Sequence, residues 1–326
     1  MESHNDEYRN TIKFDIHQNS VKSVLEILDS KAFSCSAEII PPRNGTDFFE
    51  VFTHISKLEE AKFDFLSVTH GAGGSLRGGT LPIAYHSQNA YGLTSIAHLT
   101  CRGVSAEDME NMLIDHHYFG IHNILALRGD PPDGLNAGFQ AAPGGFSYAH
   151  ELVRLIKCVN NGKYLKRSGF DDSTQEYRKG MKTRFCIGVA CYPEDKDNKG
   201  IEYLQVKKNT GADFAITQMI FDYDVFARFI EETEKLWGNQ FHVIPGIRIP
   251  VSLKQLTRMR EKFGINIPDN LYKKMENVSN SEEAMLKCGE DWARNFIAKI
   301  QKLGVKGIHF FIMGHPDSAI AVKQDN

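Results

Sequence analysis

The chain has 326 residues, 41% of them apolar and 24% charged, with a net charge of −3, which is the composition of an ordinary soluble globular protein. The charge is spread along the chain, which argues against a nucleic-acid or membrane-surface partner. No apolar run approaches the ~18 residues of a membrane span, and the polar start "MESHNDEYRNTIKFD" lacks the basic and apolar regions of a signal peptide. The six cysteines show no CxxC spacing, which reads as reduced thiols of a cytoplasmic protein and offers no zinc or other metal site.

Residues 1–18 read as a mobile arm, and 19–326 as one domain. Apolar, β-rich runs are expected as strands at 33–40, 64–69, 94–99, 122–127, 184–190, 213–219, 241–246 and 306–312. Helical periodicity falls between them, at 46–61, 80–91, 105–119, 147–160, 222–236 and 281–303. Two short helices are expected over 252–276, interrupted at Pro268. Residues 160–183 are polar and read as a surface insertion. Strands that are apolar on both faces are parallel and covered by helices. Eight such βα units predict an α/β protein built as a (β/α)8 TIM barrel. A doubly wound open sheet is the alternative, but its GxGxxG fingerprint is absent, as is GxxxxGK[ST].

A barrel carries its chemistry at the C-terminal ends of its strands. There the sequence places Glu38, Thr69 and His70, His98 and Thr100, Arg128 and Asp130, Tyr192, and Gln218. Singly, each has a plain structural explanation: turn residues, a satisfied core histidine, an Arg128–Asp130 ion pair, or a Gln218 bond to backbone. Glu38 is the hardest to explain that way, because a carboxylate is seldom buried unless it is paired. Its structural alternative is an inward salt bridge to a barrel arginine. In an apolar pocket its pKa rises, and it suits a general acid near neutral pH. Asp130, beside Arg128, suits a carboxylate that stabilises a developing cation. The "HGAGGSLRGG" loop can bring backbone close to a phosphate or ring. Tyr148, Tyr192 and His98 can pack on a planar cofactor.

The motifs "SAEIIPPR", "SVTHGAGG", "HLTC", "LALRGDPP", "SYAHELVRLIK", "FCIGVACYPE", "GADFAITQMIFD" and "VIPGI" occur in this order. In that combination, over about residues 33–312, the chain resembles the methylenetetrahydrofolate reductases, in a short form with the catalytic barrel alone. The resemblance implies a barrel holding non-covalent FAD, reduced by NADH or NADPH. The flavin then passes a hydride to 5,10-methylenetetrahydrofolate, giving 5-methyltetrahydrofolate for methionine synthesis. It implies Glu38 as the general acid and Asp130 as the acidic residue beside flavin and folate. It implies Gln218 as a folate contact, and Thr69, His98, Arg128, Gly129, Tyr148, Ala149, Tyr192 and Lys207 as flavin contacts. It also implies a homo-oligomer.

Several positions depart from the family pattern. The stretch after "YPE" is shorter than usual. Lys196 stands where a flavin-contacting histidine is common, and Gly200 where an acidic residue is common. Met259 aligns with an aromatic that covers the substrate. These departures imply a weaker grip on FAD, or one rebuilt by Lys196 and Lys199. The short loop keeps open a barrel that binds folate or flavin without turnover. A reductase subunit fed by a partner electron carrier is a separate alternative, and the chain has no cluster motif of its own.

Overall fold

The computed structural model describes residues 21–71, 77–131, 138–166, 169–172, 174–195 and 199–324. The expected N-terminal arm, the centre of the glycine loop and Lys196 lie outside the described residues. Eight parallel strands close into a barrel in the order β1, β10, β9, β8, β7, β4, β3, β2. They are β1 (Ser34–Ile39), β2 (Phe65–Val68), β3 (Thr94–Thr100), β4 (Asn123–Leu127), β7 (Cys186–Cys191), β8 (Phe214–Met219), β9 (His242–Ile247) and β10 (Gly307–Phe310). The expected (β/α)8 barrel is therefore the observed fold, and each expected strand overlaps an observed one.

Around the barrel run α2 (Phe49–Glu60), α3 (Thr80–Tyr91), α4 (Ala106–Tyr118), α5 (Ala149–Asn160), α6 (Lys199–Thr210), α7 (Tyr223–Trp237), α8 (Leu253–Phe263), α9 (Asp269–Asn277), α10 (Glu282–Gln301) and α11 (Asp317–Gln324). Pro268 precedes α9 and separates it from α8, as its missing N–H requires. Two helices went unrecognised in the sequence pattern besides α1 below. Helix α6 buries only Gly200 and Leu204, so its apolar face is too thin to show a period. Helix α11 is short and buries only Ala319 and Val322. The insertion at 160–183 contains a small antiparallel hairpin, β5 (Lys163–Tyr164) with β6 (Arg178–Lys179). It joins α5 to β7, and so lies at the N-terminal end of the strands.

Strand alternation sorts the side chains. Ala37 and Ile39 of β1, Leu66 and Val68 of β2, and Ala97 and Leu99 of β3 face outward and pack against Ile55 and Leu58 of α2 and Ile83 of α3. The alternate residues Ser36, Glu38, Ser67, Ile96, His98 and Thr100 therefore face the barrel interior. Its lower part is apolar: Phe65, Ile96, Leu125, Phe214, Ile216 and Ile244 meet there.

A short helix, α1 (Val24–Ser30), closes the bottom. It adds Val24, Ile27 and Leu28 to that cluster, each aliphatic contributing about 1.5–3 kcal/mol by burial. Its start is fixed by a capping box: Ser23 Oγ accepts the Glu26 N–H, and Glu26 Oε2 accepts the Ser23 N–H at 2.6 Å. The Val24 N–H reaches into the barrel and donates to Asn123 Oδ1 at 2.8 Å. With the bottom plugged, the open end is the one where the polar residues lie.

Candidate active site

Glu38 ends the inward row of β1. It is 9% exposed, and among the described residues no hydrogen bond or ion pair to it is present. The inward salt bridge weighed above is not formed. Burial alone pushes its carboxyl up to about 8, because the anion loses water and gains no partner. On β2 its register neighbour is Ser67. One step past the Ala37–Phe310 pair, the register brings Phe311 alongside on the other flank.

Below Glu38 lies a buried polar group. His309 Nδ1 contacts Ser36 Oγ at 2.8 Å, and His309 Nε2 contacts Ser67 Oγ at 3.2 Å. Ser36 Oγ donates to Ile308 O, so Nδ1 carries the ring proton and Nε2 accepts from Ser67. Burial holds this imidazole at about 3, hence neutral. Sequence reading passed over His309 and Phe311. Their signal is the period-2 alternation of "IHFFI", which turns both inward.

The ends of β2 and β3 present a second polar group. Thr69 and His98 are buried, and Thr69 Oγ1 and His98 Nε2 have no hydrogen-bond partner among the described residues. Burial pushes His98 down to about 3, with smaller contributions from His309 and His70. It is a neutral imidazole with an unspent nitrogen. His70 is also held below its usual range by burial, and its Nδ1 lies 3.3 Å from Thr100 Oγ1. Two unpartnered buried polar atoms are costly unless something fills their bonds.

Arg128, Gly129 and Asp130 follow β4. Gly129 turns the chain at φ 87°. Arg128 and Asp130 are both exposed, and among the described residues no ion pair links them. The Arg128–Asp130 ion pair weighed above as the structural alternative is thus not formed among the described residues. Instead, the Arg128 guanidinium lies 5.3 Å from the Phe139 ring centre, which leaves both charges available at the mouth.

Tyr192 follows β7 and is 41% exposed. Its hydroxyl is nevertheless pushed up to about 12, first by desolvation and then by the Asp130 carboxylate. The exposure counts the whole side chain, whereas the shift concerns its oxygen. Lys207 Nζ sits 5.7 Å from the Tyr192 ring centre and donates to Ala190 O at 2.7 Å. Its pKa is lowered by burial, with Arg128 adding to the effect. Lys207, Tyr192, Arg128 and Asp130 therefore share one electrostatic neighbourhood.

Tyr148 and Ala149 open α5. Tyr148 is 55% exposed and stacks on His150 at 5.5 Å. Its backbone is drawn to the end of β3, where Cys101 Sγ lies 3.8 Å from Tyr148 O. Gln218 sits in a β-bulge: β8 uses three steps from Ile216 to Met219 against two on β9. The extra residue re-aims the side chain. Gln218 Oε1 accepts the Met219 N–H at 2.9 Å. Met259, in contrast, is 1% exposed and packed with Leu256, Leu271 and Met275 between α8 and α9. It does not cover the site.

Gly200 explains one departure. A Cβ placed there would stand 2.2 Å from the Tyr192 carbonyl oxygen. The shortened loop seats the start of α6 directly on the Tyr192 backbone, and no side chain fits. Gly200→Asp, which places there the residue type the resemblance implies, is therefore expected to lower Tm. A thermal melt checks it, and an unchanged Tm would show that the loop yields.

Among the described residues, no helix is long and apolar enough to cross a membrane.

The methylenetetrahydrofolate reductase family profile matches residues 23–325. A rice (Oryza sativa subsp. japonica) relative named "Probable methylenetetrahydrofolate reductase (NADH)" is 30% identical over 287 residues, covering 88% of this chain and 47% of the relative. The chain thus spans about half the length of such plant relatives. A Buchnera aphidicola protein named 5,10-methylenetetrahydrofolate reductase is 29% identical over 306 residues, covering 92% of this chain and 94% of that one. The Salmonella typhimurium protein of the same name is 28% identical over 293 residues, with 88% of each covered. Among solved structures, a Clostridium thermocellum protein described as binding two copies of 5-methyl-5,6,7,8-tetrahydrofolic acid superposes with a TM-score of 0.59. It has 13% identity and covers 92% of this chain and 97% of that one, a likeness of fold. With the profile spanning nearly every described residue, and the barrel carrying the family's motifs at its open end, the chain belongs to the methylenetetrahydrofolate reductase family.

Proposed function

We propose that the chain reduces 5,10-methylenetetrahydrofolate to 5-methyltetrahydrofolate, using NADH or NADPH as reductant and non-covalent FAD as hydride carrier. The observation that carries this reading is Glu38: a buried, unpaired carboxyl at a strand end, protonated near neutral pH. Opening an aminal ring needs an acid, and a carboxyl protonated near neutral pH supplies one.

The residues present fit a flavin. Thr69 Oγ1 and His98 Nε2 are unspent, and a neutral imidazole suits an uncharged ring edge. Lys207 and Arg128 supply cations for a diphosphate. Tyr148, Ala149, Gly129 and Tyr192 would complete the hold. When bound, the flavin supplies two-electron hydride transfer.

The chain's own work is proton and charge control. Glu38 holds a proton at its carboxyl and delivers it to a folate ring nitrogen, so that the ring opens to a cation. Asp130, exposed at the mouth, stabilises that positive charge. Gln218, whose Oε1 already accepts the Met219 N–H, would orient the planar ring of the folate through its remaining amide N–H groups. In this reading the product feeds methionine synthesis in the cytoplasm, and the protein works as a homo-oligomer.

The test is a visible spectrum of the purified protein, before and after anaerobic NADH or NADPH. A flavin spectrum that bleaches supports the reading. A colourless protein that takes up no added FAD overturns it and favours a barrel without turnover. A flavin that bleaches only with a partner electron carrier favours a reductase subunit. The crowded start of α6 further predicts that FAD is lost on dilution. A flavin titration should give a Kd well above the nanomolar range, and a nanomolar value would refute that.

A further inference from the structure

The site leaves open what keeps Glu38 dry at the open end of a barrel. Nothing on β1 does so, since its inward neighbour is Ser36. On β2 the register neighbour is Ser67, a hydroxyl. The remaining flank belongs to β10, where Phe311 stands one step past the Ala37–Phe310 pair. Its ring lies edge-on to His309, with centres 5.4 Å apart at 84°. It also lies against β9, at a position where only glycine fits. A Cβ on Gly246 would stand 2.4 Å from Phe311 Cε2 and 2.6 Å from Thr217 O. Gly246 is thus the notch that admits the ring, next to the bulge that carries Gln218. Phe311 is partly buried against the apolar cluster that contains Met219 and Phe221.

We propose that Phe311, seated in the notch at Gly246, is the apolar wall that excludes water from Glu38. It is a positioning residue, acting on the reaction only through the carboxyl. His309 occupies Ser36 and Ser67, so both hydroxyls near Glu38 are engaged, and the residue in register with Glu38 just past β10 is the aromatic Phe311.

Charge supplies no competing account. Among the described residues, the titratable groups nearest in the barrel layers are His309, His98 and His70. Arg248 follows β9, Arg128 and Asp130 follow β4 and Tyr192 follows β7, and none of these contributes to the shift at Glu38. Burial holds His309 and His98 at about 3 and lowers His70. Arg77, from the end of the loop after β2, donates to Pro41 O in the loop after β1. The shift at Glu38 has desolvation as its sole cause, so wetting the site is the way to undo it.

The proposal rests on reading Glu38 as the acid, but its test reads protonation rather than turnover. Thermal stability of the full chain is measured from pH 4 to 9 for the wild type and Glu38→Gln, and again for both in a Phe311→Ser background. The difference within each pair changes with pH only where Glu38 titrates differently in the folded and unfolded chain. In the wild-type pair it should keep changing up to about pH 8, where the folded carboxyl titrates. In the Phe311→Ser pair it should level off at least about one pH unit lower, a fraction of what full desolvation can produce. Phe311→Leu, which keeps the wall apolar, should restore the wild-type edge. Phe311→Ala serves if the serine variant does not fold. An unchanged upper edge in the serine or alanine pair would overturn the proposal. Loss of the edge with leucine as well would show a structural effect and overturn it too. An unchanged edge in the Phe311 variants leaves Glu38 as the acid untouched, because that question is tested by turnover of Glu38→Gln and by the wild-type pair.

Discussion

Glu38→Gln is expected to retain flavin and to oxidise NADH or NADPH with an artificial acceptor at close to the wild-type rate, yet to lose the folate half-reaction. The argument is one of protonation. Glutamine keeps the shape and the hydrogen-bonding reach of the side chain but has no proton to give. The flavin contacts proposed at Thr69, His98, Lys207 and Arg128 lie on β2, β3, α6 and the end of β4, and none of them bonds to Glu38. A positioned general acid contributes about 10²–10⁴-fold, so folate reduction should fall within that range. Stopped-flow measurement of the two half-reactions separates them. An equal loss in both would mean that Glu38 supports the flavin site as a whole and would remove it from the chemistry.

The barrel was legible because its strands carry one message at two scales. Each is apolar on both faces, and helical periods stand between them, so the alternation alone specifies parallel strands covered by helices. What escaped were elements whose cause is not periodicity. Helix α1 is too short for a period, and its signal is local: the Ser23–Glu26 capping box. Helix α6 hides its face because it packs through Gly200, with backbone rather than a side chain against Tyr192.

The candidate site divides in the same way. Glu38 stood out because a carboxylate in an apolar run violates the local rule, and such violations mark strained or working positions. Phe311 and His309 obey the rule, an aromatic and a satisfied histidine in a strand, and so drew no notice. Of the two readings of Arg128 and Asp130, the structural ion pair is not formed, for a geometric reason. The turn at Gly129 separates the two, and Arg128 goes to the Phe139 ring instead. Proximity in sequence implied a bond that the backbone does not deliver. The role of Met259 was not legible, because its place in the motif order says nothing of which face of α8 is buried, and the structure turns it into the α8–α9 core.

The same Glu38→Gln change is expected to stabilise the folded protein, increasingly so as pH rises. The folded carboxyl titrates at about 8 against an ordinary value of 4.5. A raised pKa means the folded state holds the proton more tightly than the unfolded chain. Its favourable contribution is therefore complete below about pH 4.5 and is lost as pH rises toward 8, beyond which the cost is constant. At pH 7 the gap of 7 less 4.5, at about 1.4 kcal/mol per unit, amounts to about 3 kcal/mol, rising to about 5 kcal/mol above pH 8. The neutral amide carries no such cost. Melting curves of the two proteins should approach one another near pH 4.5 and separate steadily to pH 8, with the variant the more stable. A separation that does not depend on pH would mean that the carboxyl reaches water in the folded chain. The acid assigned to the reaction would then be ionised at the pH where it must give up its proton. Activity and stability are thus opposed at this residue: the feature that makes Glu38 an acid is the one that weakens the fold around it.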